Sequence, residues 1–157
     1  MPGSGTLVYD HAFETPATNG DPISAEPPST DAEVTREAIL RVNEAFYDAF
    51  ERRDIDAMAD VWELSDRVAC THPGWSTLHG WPLVGASWRA IFNNPPLQVI
   101  ITNHHVVIGS DIAFVTNDEN LIDSGGGGTV AALNAFASDG ARWRMIAHHA
   151  SSVARTV

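Results

Sequence analysis

The apolar residues of this chain change their spacing once, at Pro95-Pro96. Before that pair they recur at helical intervals and after it they alternate, so the fold must place helices first and strands afterwards. In the helical part, Val34, Ala38, Val42, Ala45 and Ala49, widened by Ile39, Phe46 and Phe50, form an apolar stripe behind the capping-box pair Thr30 and Glu33. The stripe ends near Arg53. Asp54 or Asp56 can cap a shorter helix with Ile55, Met58, Val61 and Trp62 on one side. A third helix is expected from about Pro82, burying Val84, Trp88, Ile91 and Phe92 until the proline pair stops it. Between the last two, Val68 to His72 reads as a short strand closed by Pro73-Gly74.

Four longer strands are expected after Leu97: Gln98 to Ile108, Ile112 to Leu121, Thr129 to Ala137 and Trp143 to Ser151. The turns between them are Gly109-Ser110-Asp111, the run Gly125 to Gly128, and Ser138-Asp139-Gly140, all short enough for antiparallel neighbours. Helices followed by such a meander make an α+β layout with the helices on one sheet face. Both faces carry apolar side chains, as in Val99, Ile100 and Ile101, so the other face calls for cover from a second subunit.

Composition narrows the function classes. The 157 residues suit one domain with a buried core, and the formal net charge is -11 with no lysine at all. That balance argues against binding nucleic acid or an anionic membrane surface, both of which need clustered cations. The single cysteine, Cys70, cannot form an internal disulfide, and no apolar run approaches twenty residues or forms a secretion signal, so a cytoplasmic protein is expected. Five acids, no base and five prolines fall between Met1 and Asp31. Residues 1–30 therefore read as a flexible acidic arm and 31–157 as the folded domain. Ten of the remaining acids lie between Glu33 and Asp66, which marks a solvated helical layer.

The order helix, short helix, strand, helix and four strands resembles the cone of the nuclear-transport-factor-2-like superfamily. Ala49-Phe50-Glu51-Arg52-Arg53-Asp54, Thr71-His72-Pro73-Gly74, Gly80-Trp81, Ala131 to Phe136 and Trp143 to Ser151 are similar to its SnoaL-like branch. The resemblance implies three N-terminal helices packed on a curved, mostly antiparallel sheet, with a pocket between them. It implies a small, largely apolar ligand, and isomerase, cyclase or dehydratase chemistry without a cofactor. The similar association domain of calcium/calmodulin-dependent kinase II implies which strand phase faces the pocket. It places His72, Thr116, Asn134 and Ala150 there, without that domain's pocket arginines. Period two then adds Phe114, Asp118, Phe136, Ile146 and His148, and turns Trp143, Met145 and His149 away.

The expected catalytic set is His72, Asp118 and His148. A histidine beside a carboxylate can move a proton near neutrality, and apolar walls bring both groups toward that range. Trp62, Trp88, Phe114, Thr116, Asn134, Phe136 and Ile146 would hold the substrate. Each has a plainer reading as core packing or a hydrogen-bonded brace, which would suit a non-catalytic dimeric binding or interaction module. A third reading is a metal site built from His72, His148, one of His104 and His105, and Asp118, because the adjacent histidine pairs point to opposite faces. Cys70 lies in an apolar setting that suits an inert thiol.

Overall fold

The computed structural model describes residues 30–123 and 126–153; the expected acidic arm lies outside them except for Thr30. The elements run α1 (Thr30–Arg52), α2 (Ile55–Val61), β1 (Ala69–Thr71), β2 (Leu78–His79), α3 (Trp81–Phe92), β3 (Gln98–Ile108), β4 (Ile112–Asp123), β5 (Gly126–Ser138) and β6 (Trp143–Ser152). The six-stranded sheet has the order β2-β1-β6-β5-β4-β3. Its pairings are antiparallel except β1 with β6, which run parallel. The two-residue β2 is an element the sequence pattern did not suggest. Its pairing with β1 fills the edge beside α3.

Local chemistry sets the helix ends. Arg53 takes a left-handed φ of 54°, and the Asp54 N–H donates back to the Ala49 carbonyl at 3.0 Å, which closes α1. Asp54 then starts α2, its Oδ1 accepting from the N–H groups of Asp56 at 3.1 Å and Ala57 at 2.9 Å. Such a cap contributes about 1 kcal/mol. Pro82 sits in the first turn of α3, where its missing N–H costs nothing.

The three helices bury Ile39, Phe46, Ala49, Met58, Val61, Trp62, Val84 and Trp88 against one sheet face, which contributes Val68, Cys70, Val115, Phe136 and Met145. The buried side of α1 is rotated from the expected stripe. It is centred on Ile39, Asn43, Phe46, Tyr47 and Ala49, while Val34 is exposed.

Two corrections concern strand phase. On β4 the helix-facing residues are Ala113, Val115, Asn117 and Glu119, so Phe114, Thr116 and Asp118 stand on the opposite face. The cause is the hairpin register. Asp123 pairs with Gly126, which sets Val115 opposite Asn134 and Asn117 opposite Ala132. A glycine run carries no side-chain pattern to fix that parity, and a slip by one residue exchanges the faces. On β6 the pairing shifts between Ala135 and Phe136, which join Ala147 and Met145 respectively. Ile146 is the bulged residue and is only half-buried, whereas Met145 lies in the core.

Candidate functional site

Four elements converge on one buried polar group of side chains. α1 supplies Asn43 and Tyr47 one turn apart on its inner face, β4 supplies Asn117 and Glu119, β5 supplies Asn134, and β6 supplies His148. The Asn134 amide donates to Asn43 Oδ1 at 2.8 Å and to the Tyr47 hydroxyl at 3.1 Å. The Asn117 amide donates to the same hydroxyl at 2.9 Å. With both lone pairs of Tyr47 occupied, its proton goes to Glu119 Oε1 at 2.8 Å.

This network fixes a histidine tautomer. Asn134 spends both amide hydrogens elsewhere, so its Oδ1 can only accept, and His148 Nδ1 at 2.6 Å is the donor. The lone pair of His148 is therefore on Nε2. His148 and Glu119 line one small cavity of about 30 Å³, walled by Phe46, Phe50, Trp88, Val99 and Leu121. Phe46 and Trp88 pack near the imidazole, with ring centroids 5.0 and 5.9 Å away. The Trp88 indole N–H is buried without a hydrogen-bond partner.

Burial separates the titrations. It pushes the Glu119 carboxyl up from 4.5 to about 7, although the Tyr47 hydrogen bond pulls the other way. Burial pushes His148 down to about 3, assisted by the charges of His72 and His149. Tyr47 is raised far above the phenol range by burial and by the charge of Glu119. Near neutrality, Glu119 is thus the group that changes charge, and both inner histidines are neutral.

His72 is close by, its ring centroid 6.4 Å from that of His148, but it is held differently. The Ser87 hydroxyl donates to the Val84 carbonyl at 2.7 Å, so His72 Nε2 must donate to Ser87 Oγ at 2.9 Å. It joins the end of β1 to α3 and does not line the cavity. Burial lowers it to about 4, and it packs edge-on to Trp88 at 4.6 Å with the exposed Trp75 on its other side. Cys70 is fully buried, and burial pushes its thiol up to about 12.

The structure thus brings His148, Asn134 and Trp88 to one place, with His72 behind them. Asp118 stands on the outer sheet face, where Asn103 Nδ2 donates to its Oδ2 at 2.7 Å. Thr116 and Phe114 share that face. Trp62 and Phe136 are fully buried in the core and do not line the cavity. Ile146 is displaced by the bulge. Among the described residues no group of three or more His, Cys, Asp or Glu converges on a possible metal site. The set of His72, His148, a histidine of 104–105 and Asp118 cannot assemble, because β3 lies three strands from β6 and Asp118 faces outward.

Glu119, Tyr47, Asn43, Asn117 and Ser87 were not singled out from the sequence. The available signal was Asn43 and Tyr47 on the same helix face as Ile39, Phe46 and Phe50, since polar side chains on an apolar stripe must find partners.

Comparison with known proteins agrees with this architecture. The family model of the SnoaL-like domain matches residues 39–155. A Streptomyces avermitilis protein of the nuclear-transport-factor-2-like family, provisionally described as a dehydratase, is 34% identical with a TM-score of 0.72, covering 78% of this chain and 99% of its own. A Thiobacillus denitrificans protein, provisionally described as a calcium/calmodulin-dependent protein kinase type II association domain, is 33% identical with a TM-score of 0.64, over 82% of this chain and 100% of its own. F-box protein SKIP8 of Arabidopsis thaliana is 33% identical over 119 residues, or 74% of this chain and 50% of that protein. The chain thus spans about half the length of the curated relative it matches. No helix among the described residues is long and apolar enough to cross a membrane.

Proposed function

This chain belongs to the SnoaL-like family of nuclear-transport-factor-2-like proteins, and we propose that it is an acid/base lyase of the dehydratase type acting on a small, largely apolar molecule. The observation that carries the reading is the pairing of Glu119 and His148 on one cavity, with Glu119 titrating at about 7. A proton-transfer group works best with a pKa near the working pH, so Glu119 is the better base; His148, at about 3, is too weak. His148 instead offers a hydrogen-bond acceptor at Nε2.

Size separates the reaction types. A cavity of about 30 Å³ has room for one or two waters, so it accommodates a leaving hydroxyl but not a folding polyketide chain. In the proposed step the Glu119 carboxylate takes a proton from the carbon beside the hydroxyl-bearing carbon. The C–H electron pair becomes the new C=C bond, the C–O bond breaks, and Glu119 returns its proton to the departing oxygen as water. His148 Nε2 accepts a hydrogen bond from that hydroxyl throughout. The provisional dehydratase description of the 34% identical Streptomyces protein points to the same class.

The test is a panel of β-hydroxy ketones monitored for the conjugated enone they form on losing water. Glu119→Gln should lower the rate about 10²- to 10⁴-fold. Full activity in that variant defeats the reading, as does an infrared titration of Glu119 centred near 4.5.

A second reading concerns assembly. Ile100, Ile122 and Leu133 are 46%, 44% and 39% exposed on the sheet face away from the helices. We propose that this face pairs with a second copy, in line with the association-domain description of the 33% identical Thiobacillus protein.

A further inference from the structure

The apolar stripe of α1 does not all face the sheet. Val34 is exposed, and Ala38, Val42 and Ala45 are only partly buried, because the core side of the helix is centred on Ile39, Phe46 and Ala49. With Ala57 and Val61 of α2 and Trp143 at the start of β6, Val42 and Ala45 floor a groove of about 560 Å³ on the outside of the helical layer. None of its lining residues belongs to the cavity at Glu119. Cations border it in a chain that has few: Arg41, Arg52 and Arg142 are three of the nine arginines, and there is no lysine. Arg52 and Arg142 form no ion pair among the described residues, and Arg41 has only an exposed pair with Glu37 at 3.5 Å. Asp48 and Asp60 complete the rim.

We propose that this groove is the docking site of the chain's own N-terminal segment Leu7 to Glu14, with Leu7, Tyr9 and Phe13 on the apolar floor and Asp10 and Glu14 toward the arginines. Composition matches the two surfaces. Residues 1–29 hold four acids and no arginine or lysine, and their apolar side chains concentrate at Leu7, Val8, Tyr9 and Phe13. Reach is sufficient as well. Residues 15–29 can extend ~50 Å at ~3.3 Å each, whereas the groove residues of α1 lie only ~12 to ~33 Å from Thr30 at ~1.5 Å each. Being part of the same chain, the segment meets the groove at an effective concentration on the order of millimolar, so modest contacts suffice to seat it. The helical layer of a second copy fits less well, because ten acids fall between Glu33 and Asp66 and would meet Asp48 and Asp60 on the rim.

The test attaches a nitroxide at Thr15→Cys in the full chain, the native Cys70 being fully buried, and reads amide and indole signals by NMR. The amides of Ala57 and Ala141 and the indole of Trp143 should lose intensity at least two-fold. The indole of Trp75, which follows β1 toward the far end of β6, should keep its intensity. When nitroxide-bearing chain is mixed with isotope-labelled chain that carries no nitroxide, the same signals should stay sharp, because the contact is made within one chain. Tyr9→Ser with Phe13→Ser should restore full intensity, as should Arg142→Glu, each at an unchanged melting temperature. Full intensity at all three groove signals in the nitroxide-bearing chain overturns the proposal, as does broadening as strong in the mixture, which would seat a second copy there. Broadening that survives either substitution in a folded chain also overturns it. If Arg142→Glu does not fold, the Tyr9 and Phe13 variant decides alone.

Discussion

Glu119→Gln should change the pH dependence of stability in a calculable way. In the folded chain the carboxyl titrates near 7, and in the unfolded chain at its ordinary 4.5. Because the folded value is the higher, the carboxyl's stabilising contribution is fully present below pH 4.5 and is lost as the pH rises toward 7. Each unit of separation is worth about 1.4 kcal/mol, so the wild-type chain should lose about 2 to 3 kcal/mol relative to Glu119→Gln between pH 5 and pH 8. Comparing the two chains at both pH values removes any constant cost of the amide, such as imperfect packing or an altered bond to Tyr47. The measurement is urea unfolding of both chains at pH 5 and pH 8, with stability taken from midpoint and slope. A stability difference that is the same at both pH values would refute the reasoning, since Glu119 would then titrate alike folded and unfolded.

Three further outcomes follow from the same geometry. His72 and His148 titrate at about 4 and about 3 when folded, below the ordinary 6.5. Their contribution is complete above pH 6.5 and is lost as the pH falls toward 4 and then 3, so Gln replacements at both positions should flatten the acid limb of a melting-temperature profile. Asn134→Ala removes the partner of His148 Nδ1, Asn43 Oδ1 and the Tyr47 hydroxyl together, and should cost about 2 to 4 kcal/mol in urea unfolding, well beyond a surface substitution. Leu133→Arg puts a charge on the outer sheet face and should yield a monomer by sedimentation if that face joins two copies, with little change in melting temperature at low protein concentration.

Most of the architecture was readable because it rests on strong, local signals. Pro95-Pro96, Asp54, Pro82 and the switch of apolar period place three helices and four long strands within a residue or two of their observed limits, except that β5 begins at Gly126, three residues before the expected Thr129. The helix-facing positions of β5 were readable as well, since Asn134 and Phe136 share the face the alternation gives them. The β4 face was not. Phe114-Thr116-Asp118 and Ala113-Val115-Asn117-Glu119 alternate equally well, and the register that decides between them is set at a glycine tip. That one parity difference puts Glu119, and not its neighbour Asp118, on the helix-facing side of the sheet. On α1, Asn43 and Tyr47 escaped notice because hydrophobicity alone rotates the stripe toward Ala38, Val42 and Ala45. A helix face that also carries polar partners for a buried strand residue is legible only once that strand is in place.

The parallel pairing of β1 with β6 sets Cys70 opposite His148, joining segments from either side of α3 and the whole β3–β5 meander. Every other contact between neighbouring strands can close through a short turn, but this one must wait until the ends of a long loop meet. The pairing that brings His72 beside His148 is therefore the strand pairing with the greatest chain-entropy cost, and it should form after the hairpins of the meander. A nascent chain can thus pair β3 with β4, β4 with β5 and β5 with β6 before the imidazoles of His72 and His148 are together. Substitutions at the β1–β6 seam should then act on the lifetime of the finished protein, speeding its unfolding, and leave the early formation of the meander untouched.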